Sequence, residues 1–329
     1  MSLQQALRFE PQAFRRVWGG ERLQHRLRGG LTWPSQTGEA WLLCDRPEQA
    51  STVAEGPLAG RTLNGLMLSE EAALLGESAP SSSGGFPLII KWLDTAELLS
   101  LQVHPGEGLA KRLGSEPKAE CWYICDAEPG SVLYLGLRDG VDAAAFADAS
   151  ANGDVLDLLQ SFSPKPGDFF HVPAGTLHSI GAGLTLVEIQ QNSDTTYRAH
   201  DWDRVGLDGK TRQLHREEAL QAIAFGRQAS GPIRARATDE AAVNPIVPLL
   251  EEGPFGVQWL QVLEDYQNNT QGRAWVYVVL AGSGALRVGK NEACRMEAGD
   301  AWLLPADSEN YSITESDGDL ELLRVEARA

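Results

Sequence analysis

The twelve residues Gly167-Asp-Phe-Phe-His-Val-Pro173-Ala-Gly175-Thr-Leu-His178 do most to limit what this chain can fold into. A short β-type run is stopped by Pro173 and Gly175, which fix a turn that delivers His178 to the next segment. A second run repeats the arrangement. Gly299-Asp-Ala-Trp-Leu-Leu-Pro305-Ala-Asp307-Ser-Glu-Asn310 keeps the same spacing from Gly to Pro and carries Asn where the histidine stood. A faint internal repeat of this kind predicts two related β domains, the second without that histidine.

Most of the remaining sequence reads as β. Leu88-Ile-Ile-Lys-Trp-Leu, Leu99-Ser-Leu-Gln-Val, Glu120-Cys-Trp-Tyr-Ile-Cys, Val132-Leu-Tyr-Leu and Leu184-Thr-Leu-Val-Glu-Ile are short runs bounded by Pro, Gly and Asp, at the spacing of a sandwich or barrel. Helical periodicity is confined mainly to 141–162, interrupted at Asn152-Gly153-Asp154, and to His215–Ile223. Trp275-Val-Tyr-Val-Val-Leu-Ala-Gly282-Ser-Gly284-Ala-Leu-Arg-Val predicts a hairpin turning through its glycines. Residues 79–85 form a loop by composition, and 229–244 is the predicted interdomain linker. The expected division is therefore 1–235, with the small helical segment at about 141–162, and 236–329.

With 329 residues the chain can bury a sizeable core. Its formal net charge of -17 argues against nucleic acid, so any anionic ligand has to be met by a local basic cluster. No apolar run approaches the length of a membrane span and no basic stretch with an apolar run opens the chain, so a soluble cytoplasmic protein without membrane partners is expected. The four cysteines, Cys44, Cys121, Cys125 and Cys294, are too scattered for a disulfide scaffold and are read as free thiols.

His104, Glu120 and His178 come from separate predicted strands and supply two imidazoles and one carboxylate, a set that divalent transition metals favour. Gln102 is two residues before His104 and faces the same side of its strand. Lys118 bears the same relation to Glu120, so its ammonium is expected in the same barrel. Arg198 follows the polar run Gln190-Gln-Asn-Ser-Asp-Thr-Thr, which suits a loop lining a mouth better than a core strand. Each has a plainer reading: a buried hydrogen-bonded histidine, an edge lysine, an arginine paired with Asp194 or Asp201. Trp18, Trp92 and Trp122 fit either a sugar pocket or a core, and Lys111 with Arg112 either a phosphate contact or a solvated helix face.

The Gly-x5-Pro-x-Gly-x2-His element is the second half of the cupin signature. With Arg16-Val-Trp18-Gly-Gly20, Gly38-Glu39, Phe86-Pro-Leu-Ile-Ile-Lys-Trp-Leu-Asp, Leu99-Ser-Leu-Gln-Val-His-Pro105, Lys118-Ala-Glu120-Cys-Trp122 and Glu188-Ile-Gln-Gln-Asn-Ser-Asp194-Thr-Thr-Tyr-Arg198, the chain resembles the type I mannose-6-phosphate isomerases in their short bacterial form. Strong similarity runs from about Arg16 to Arg204. The resemblance implies a mainly β fold of two cupin (jelly-roll β-barrel) domains with a few small helices, the second barrel lacking metal ligands. It implies one Zn2+ per chain on Gln102, His104, Glu120 and His178, and a small phosphorylated sugar as substrate. Arg198 would be a catalytic-site residue, with Lys118, Glu188 and Ser100 at catalytic or substrate-contacting positions. The reaction implied is interconversion of mannose 6-phosphate and fructose 6-phosphate through an enediol, with Glu188, Lys118 or a metal-bound hydroxide as base. The alternatives are a metal-dependent cupin oxygenase and a non-catalytic sugar-binding cupin. Oligomeric state has no signature here.

Overall fold

The computed structural model describes residues 3–27, 33–234, 242–316 and 318–328. It is mainly β, with its strands in four sheets among these residues. The middle of the expected linker, 235–241, and with it the expected boundary between 235 and 236, lies outside the described residues.

A seven-stranded sheet runs in the order Ile233–Arg234, Asp168–Val172, Glu120–Ala127, Leu184–Gln191, Leu88–Thr95, Gln12–Gly20 and Thr37–Leu43. Facing it is a five-stranded sheet of Tyr197–His200, Leu101–Val103, His178–Ile180, Leu133–Leu137 and Leu159–Phe162. Leu93, Trp122, Ile124, Phe170 and Leu186 of the first meet Leu133, Leu135 and Ile180 of the second in one buried cluster. A six-stranded sheet, Leu7–Arg8, Ala301–Leu304, Trp275–Ala281, Leu320–Ala327, Phe255–Val262 and Ile246–Leu250, faces a four-stranded one, Tyr266–Asn269, Asn310–Glu315, Ser283–Val288 and Cys294–Glu297. Leu260, Tyr277, Trp302 and Leu322 meet Leu286, Met296 and Ile313 between them.

Because side chains alternate across a strand, each large sheet has a second apolar face. Leu42, Ile90, Trp92, Val187 and Ile189 of the seven-stranded sheet pack with Val257, Val276, Val278, Leu303 and Val325 of the six-stranded one. The two sandwiches thus stand back to back on a common core, and Trp92 Nε1 donates across it to Gly299 O at 3.2 Å.

The strands expected from the sequence are present, with boundaries shifted by a few residues. The segment 141–162 is helical only over Ala143–Asn152, with a 3-10 turn at Val155–Leu158. Asp142 caps the helix by accepting from Ala145 N, and Gly153, with φ +91°, ends it. Leu159–Phe162 is a strand instead, because the edge of the five-stranded sheet offers it Leu133–Leu137 as a partner. His215–Ile223 gives the expected helix over Arg216–Ala222. The longest helix, Leu63–Leu75, has no amphipathic stripe to announce it. It buries Leu63, Leu66, Met67, Leu74 and Leu75 while leaving Leu68 exposed, and its one sequence signal is the cap Thr62, which accepts from Gly65 N at 3.0 Å.

The hairpin expected at 275–288 does not form. Trp275–Ala281 belongs to the six-stranded sheet and Ser283–Val288 to the four-stranded one, so Gly282 is a corner where the chain changes sheets. Its φ is +76°, and a Cβ there would lie 2.3 Å from Asp319 O. Gly289, at φ +54°, has open space around the same atom. Both alanine variants carry the left-handed backbone strain of about 1–2 kcal/mol. Gly282→Ala should exceed Gly289→Ala by at least about 1 kcal/mol in urea unfolding, since only the former meets backbone. Equal losses would mean the corner is free to relax.

Candidate metal centre

Strand Leu184–Gln191 sits mid-sheet, in register with Leu88–Thr95 on one side and Glu120–Ala127 on the other. Val187 and Ile189 face the shared core, so Glu188 and Gln190 face the barrel interior. Register then aligns Trp41, Lys91, Glu188, Trp122 and Phe170 in one row across five strands. The next row holds Gln190, Glu120 and Val172.

Three ligand-bearing residues converge at that end of the barrel. Glu120 Oε2 is 3.3 Å from His104 Nε2 and Glu120 Oε1 is 3.2 Å from His178 Nε2. The ligand atoms of the three residues lie within 4.8 Å of one another, and all three residues are buried. His104 Nδ1 faces Thr195 O and His178 Nδ1 faces Thr176 O, each at 2.9 Å, which assigns the ring proton to Nδ1 and leaves Nε2 as a lone pair. Burial and then the Lys118 charge press His104 down to about 3, and burial also lowers His178, so both rings are neutral. Burial opposes ionisation of Glu120, but the adjacent Lys118 charge leads the effects that outweigh it and hold the carboxyl well below its usual range. Lys118 Nζ lies 2.9 Å from Oε2 as an ion pair.

Both Nε2 atoms and Glu120 Oε1 are buried without a hydrogen-bond partner, and Oε2 has only its ion pair with Lys118. Lone pairs and a carboxylate turned toward one another with no proton between them need a cation, and this donor set suits Zn2+. Gln102 stands beside the centre, paired across the sheet with His178 on one side and Arg198 on the other.

Above the centre opens a cavity of about 480 Å³, lined by Ser100, Gln102, Lys118, Glu188 and Arg198 together with residues the sequence reading did not single out as site residues. Among these, Arg16 meets Glu39 through Nε at 2.9 Å and Nη2 at 3.0 Å, and Trp41 Nε1 donates to the same carboxylate at 2.7 Å. The Glu39 carboxyl is held at about 2, since Arg16 and Lys91 outweigh the opposing effect of burial. Lys91 Nζ donates to Glu188 Oε1 at 2.9 Å and to Gln190 Oε1, and lies 4.9 Å from the Trp41 ring centre. Trp122 Nε1 donates to Glu188 Oε2 at 3.2 Å. A lysine inside the apolar run Leu88-Ile-Ile-Lys-Trp-Leu was the available signal for Lys91.

Arg198 is half-buried. Its Nη1 donates to Gln213 O at 2.8 Å, while its Nε is buried and unpartnered. Neither Asp194 nor Asp201 pairs with it, since Asp201 is taken by Arg212 and Arg204. Burial and the neighbouring Arg212 charge lower its proton affinity. Trp18 lines the cavity and Trp122 lies beneath it, but Trp92 faces the shared core, because it is one residue out of phase with Lys91. Lys111 and Arg112 are exposed on the helix Glu107–Leu113. Lys111 borders a separate cleft of about 810 Å³ that contains none of the expected site residues and so does not compete for the chemistry.

Residues 6–129 match the family description "Phosphomannose isomerase type I, catalytic domain". The mannose-6-phosphate isomerase of Streptococcus mutans is 34% identical over 317 residues, covering 95% of this chain and 96% of that protein. The crystal structure of the mannose 6-phosphate isomerase from Bacillus subtilis is 30% identical with a TM-score of 0.87, over 98% of this chain and 99% of that one. A zinc-bound mannose 6-phosphate isomerase at 15% identity shares the fold, with a TM-score of 0.74 over 98% of this chain and 100% of that one. With its buried His104–Glu120–His178 centre at the floor of a charged barrel, the chain belongs to the type I phosphomannose isomerase family.

Proposed function

We propose that this protein is a zinc-dependent isomerase that interconverts mannose 6-phosphate and fructose 6-phosphate in the cytoplasm. The observation that carries the reading is the set of converging, proton-free ligand atoms at the floor of the cavity. His104, Glu120 and His178 would hold one zinc, with Gln102 as a fourth ligand beside them. The cavity supports a phosphorylated substrate. Six cationic side chains line it against four carboxylates, in a chain whose net charge is -17.

Moving a proton between C1 and C2 requires a proton acceptor at carbon and positive charge at the carbonyl oxygen as the enediol forms. Bound zinc supplies Lewis acidity there. Arg198, next to Gln102 in the sheet and free of any carboxylate partner, adds positive charge at the developing enediolate. Glu188 and Lys118 face the same space and are the side chains placed to carry the proton. Lys91 and Trp122 fix the Glu188 carboxylate, and Ser100 faces the sugar. The first sandwich, within 1–235, is the catalytic domain and the second, within 236–329, is structural. In the second, Leu7–Arg8 pairs with Trp302 and Leu303, so the first few residues associate with it.

A coupled assay of fructose 6-phosphate formed from mannose 6-phosphate tests the reading directly, and no turnover by the zinc-loaded protein overturns it. Purified protein should contain about one zinc per chain by elemental analysis. His178→Ala should lose metal and turnover together, while Asn310→Ala, at the corresponding and exposed place in the second sandwich, should keep both. A fully metallated, inactive His178→Ala variant would refute the ligand assignment. Arg198→Ala should keep its zinc and melting temperature but lose about 100- to 1000-fold in kcat. A kcat within about threefold of the parent would remove Arg198 from the chemistry.

A further inference from the structure

The cations around the cavity are not all neutralised alike. Lys118 has Glu120, Lys91 has Glu188 and Arg16 has Glu39, each with a buried or half-buried carboxylate of its own. At the wall beyond Gln102 the ratio changes, because Arg198, Arg204 and Arg212 gather around Asp201, the buried carboxylate there, and the exposed Glu97 reaches only Arg204, at 3.6 Å. Asp201 is 5% exposed. Its Oδ2 accepts from Arg212 Nε at 2.7 Å and its Oδ1 from Arg212 Nη2, a two-pronged grip that fixes the plane of the guanidinium. Arg204 reaches the same Oδ1 at 3.4 Å.

Arg212 also lines the cavity, and so do Gly206 and Leu207 of the turn closed by the Val205–Thr211 bridge. The base of this segment is pinned by Trp202 Nε1, which donates to Leu99 O at 2.7 Å. Glu97 and Asp208 nearby are exposed, so solvent screens them; the buried part of the corner carries more fixed positive charge than Asp201 cancels, and Arg198 Nε is buried in it without a partner. A guanidinium fixed in plane at the edge of a cavity, in a corner whose buried cations outnumber its buried carboxylates, is built to receive a dianion. Arg15 also lines the cavity and has no acidic partner, but it is exposed and bonds Ser35 O and Gln36 Oε1, so solvent screens its charge.

We infer that Arg212, held in plane by the positioning residue Asp201, binds the phosphate group of the substrate and sets the preference for phosphorylated over free sugar. The inference rests on the isomerase reading. Arg198 then lies between the metal and Arg212, serving the reacting end while Arg212 serves the other.

The test uses the zinc-loaded full chain as parent, Arg212→Ala, Asp201→Asn and Arg15→Ala, with mannose 6-phosphate, mannose, and inorganic phosphate as inhibitor. Arg212→Ala should lower the ratio of kcat/KM for mannose 6-phosphate to that for mannose by about 10- to 100-fold, through KM, and weaken inhibition by phosphate in parallel. Asp201→Asn, which keeps the cation but loosens its plane, should move both quantities the same way by less. Calorimetric binding of inorganic phosphate to the parent, lost in Arg212→Ala, reads the anion site without turnover, so failure of the isomerase reading is separable from failure of this one. The inference is overturned if the ratio and phosphate inhibition are unchanged in Arg212→Ala. It is equally overturned if both substrates suffer alike as stability falls, or if Arg15→Ala is the variant that loses phosphate.

Discussion

A carboxylate with no exposed surface has to be neutralised where it stands, and Glu120 is such a carboxylate. Lys118 answers part of its charge, and the two imidazole lone pairs beside it add electron density instead of protons. The first barrel is consequently arranged around a donor set that suits a cation. Its strands bring ligands from three directions, and the turn at Pro173–Gly175 sets His178 at the start of a new strand in the opposite sheet. The paired charges above the centre, Lys91 with Glu188 and Arg16 with Glu39, hold the walls of the cavity in fixed orientations.

The second barrel shows what the same frame becomes without that constraint. Its six- and four-stranded sheets repeat the central strands of the seven- and five-stranded pair, and equal registers match Glu120 to Trp275, Trp122 to Tyr277, Glu188 to Arg324, Lys91 to Gln258, Gln102 to Asn269 and His178 to Asn310. Arg324 lies 3.6 Å from the Trp275 ring centre and bonds Gln258 Oε1 at 3.1 Å, while Tyr277 and Tyr311 share a 2.6 Å hydroxyl contact. A guanidinium stacked on an indole occupies the ground that the Glu120 carboxylate and its neighbours hold in the first barrel.

Much of the centre was legible because ligand types at fixed spacing survive without knowledge of the fold: His104, Glu120 and His178 meet as the strands and turns implied. The neighbours were harder. Lys91 and Glu39 matter only through cross-strand register, and a single strand does not announce its partner. The helix Leu63–Leu75 was hidden because Leu68 and Ala72 stand exposed among its apolar residues and the backbone kinks at Glu70, which together erase the stripe that marks a helix. The corner at Gly282 was read as a hairpin because two β runs separated by glycine look the same whether they pair with each other or part into different sheets. That distinction is made by the strands on either side, 294–297 and 301–304 among them, and is non-local.

Leu7–Arg8 forms the edge of the six-stranded sheet, paired with Trp302 and Leu303 near the other end of the chain. The strand also touches a segment much nearer in sequence, since Arg8 O accepts from Ala54 N at 2.8 Å and Phe9 bridges to Val53. Arg8 is thus held on two sides, by Trp302 across the sheet and by Ala54 N and the Glu55 carboxylate beside it. A two-residue strand so placed ties the six-stranded sheet to the segment that leads into the helix Leu63–Leu75, so a change on either side of it is felt by the other.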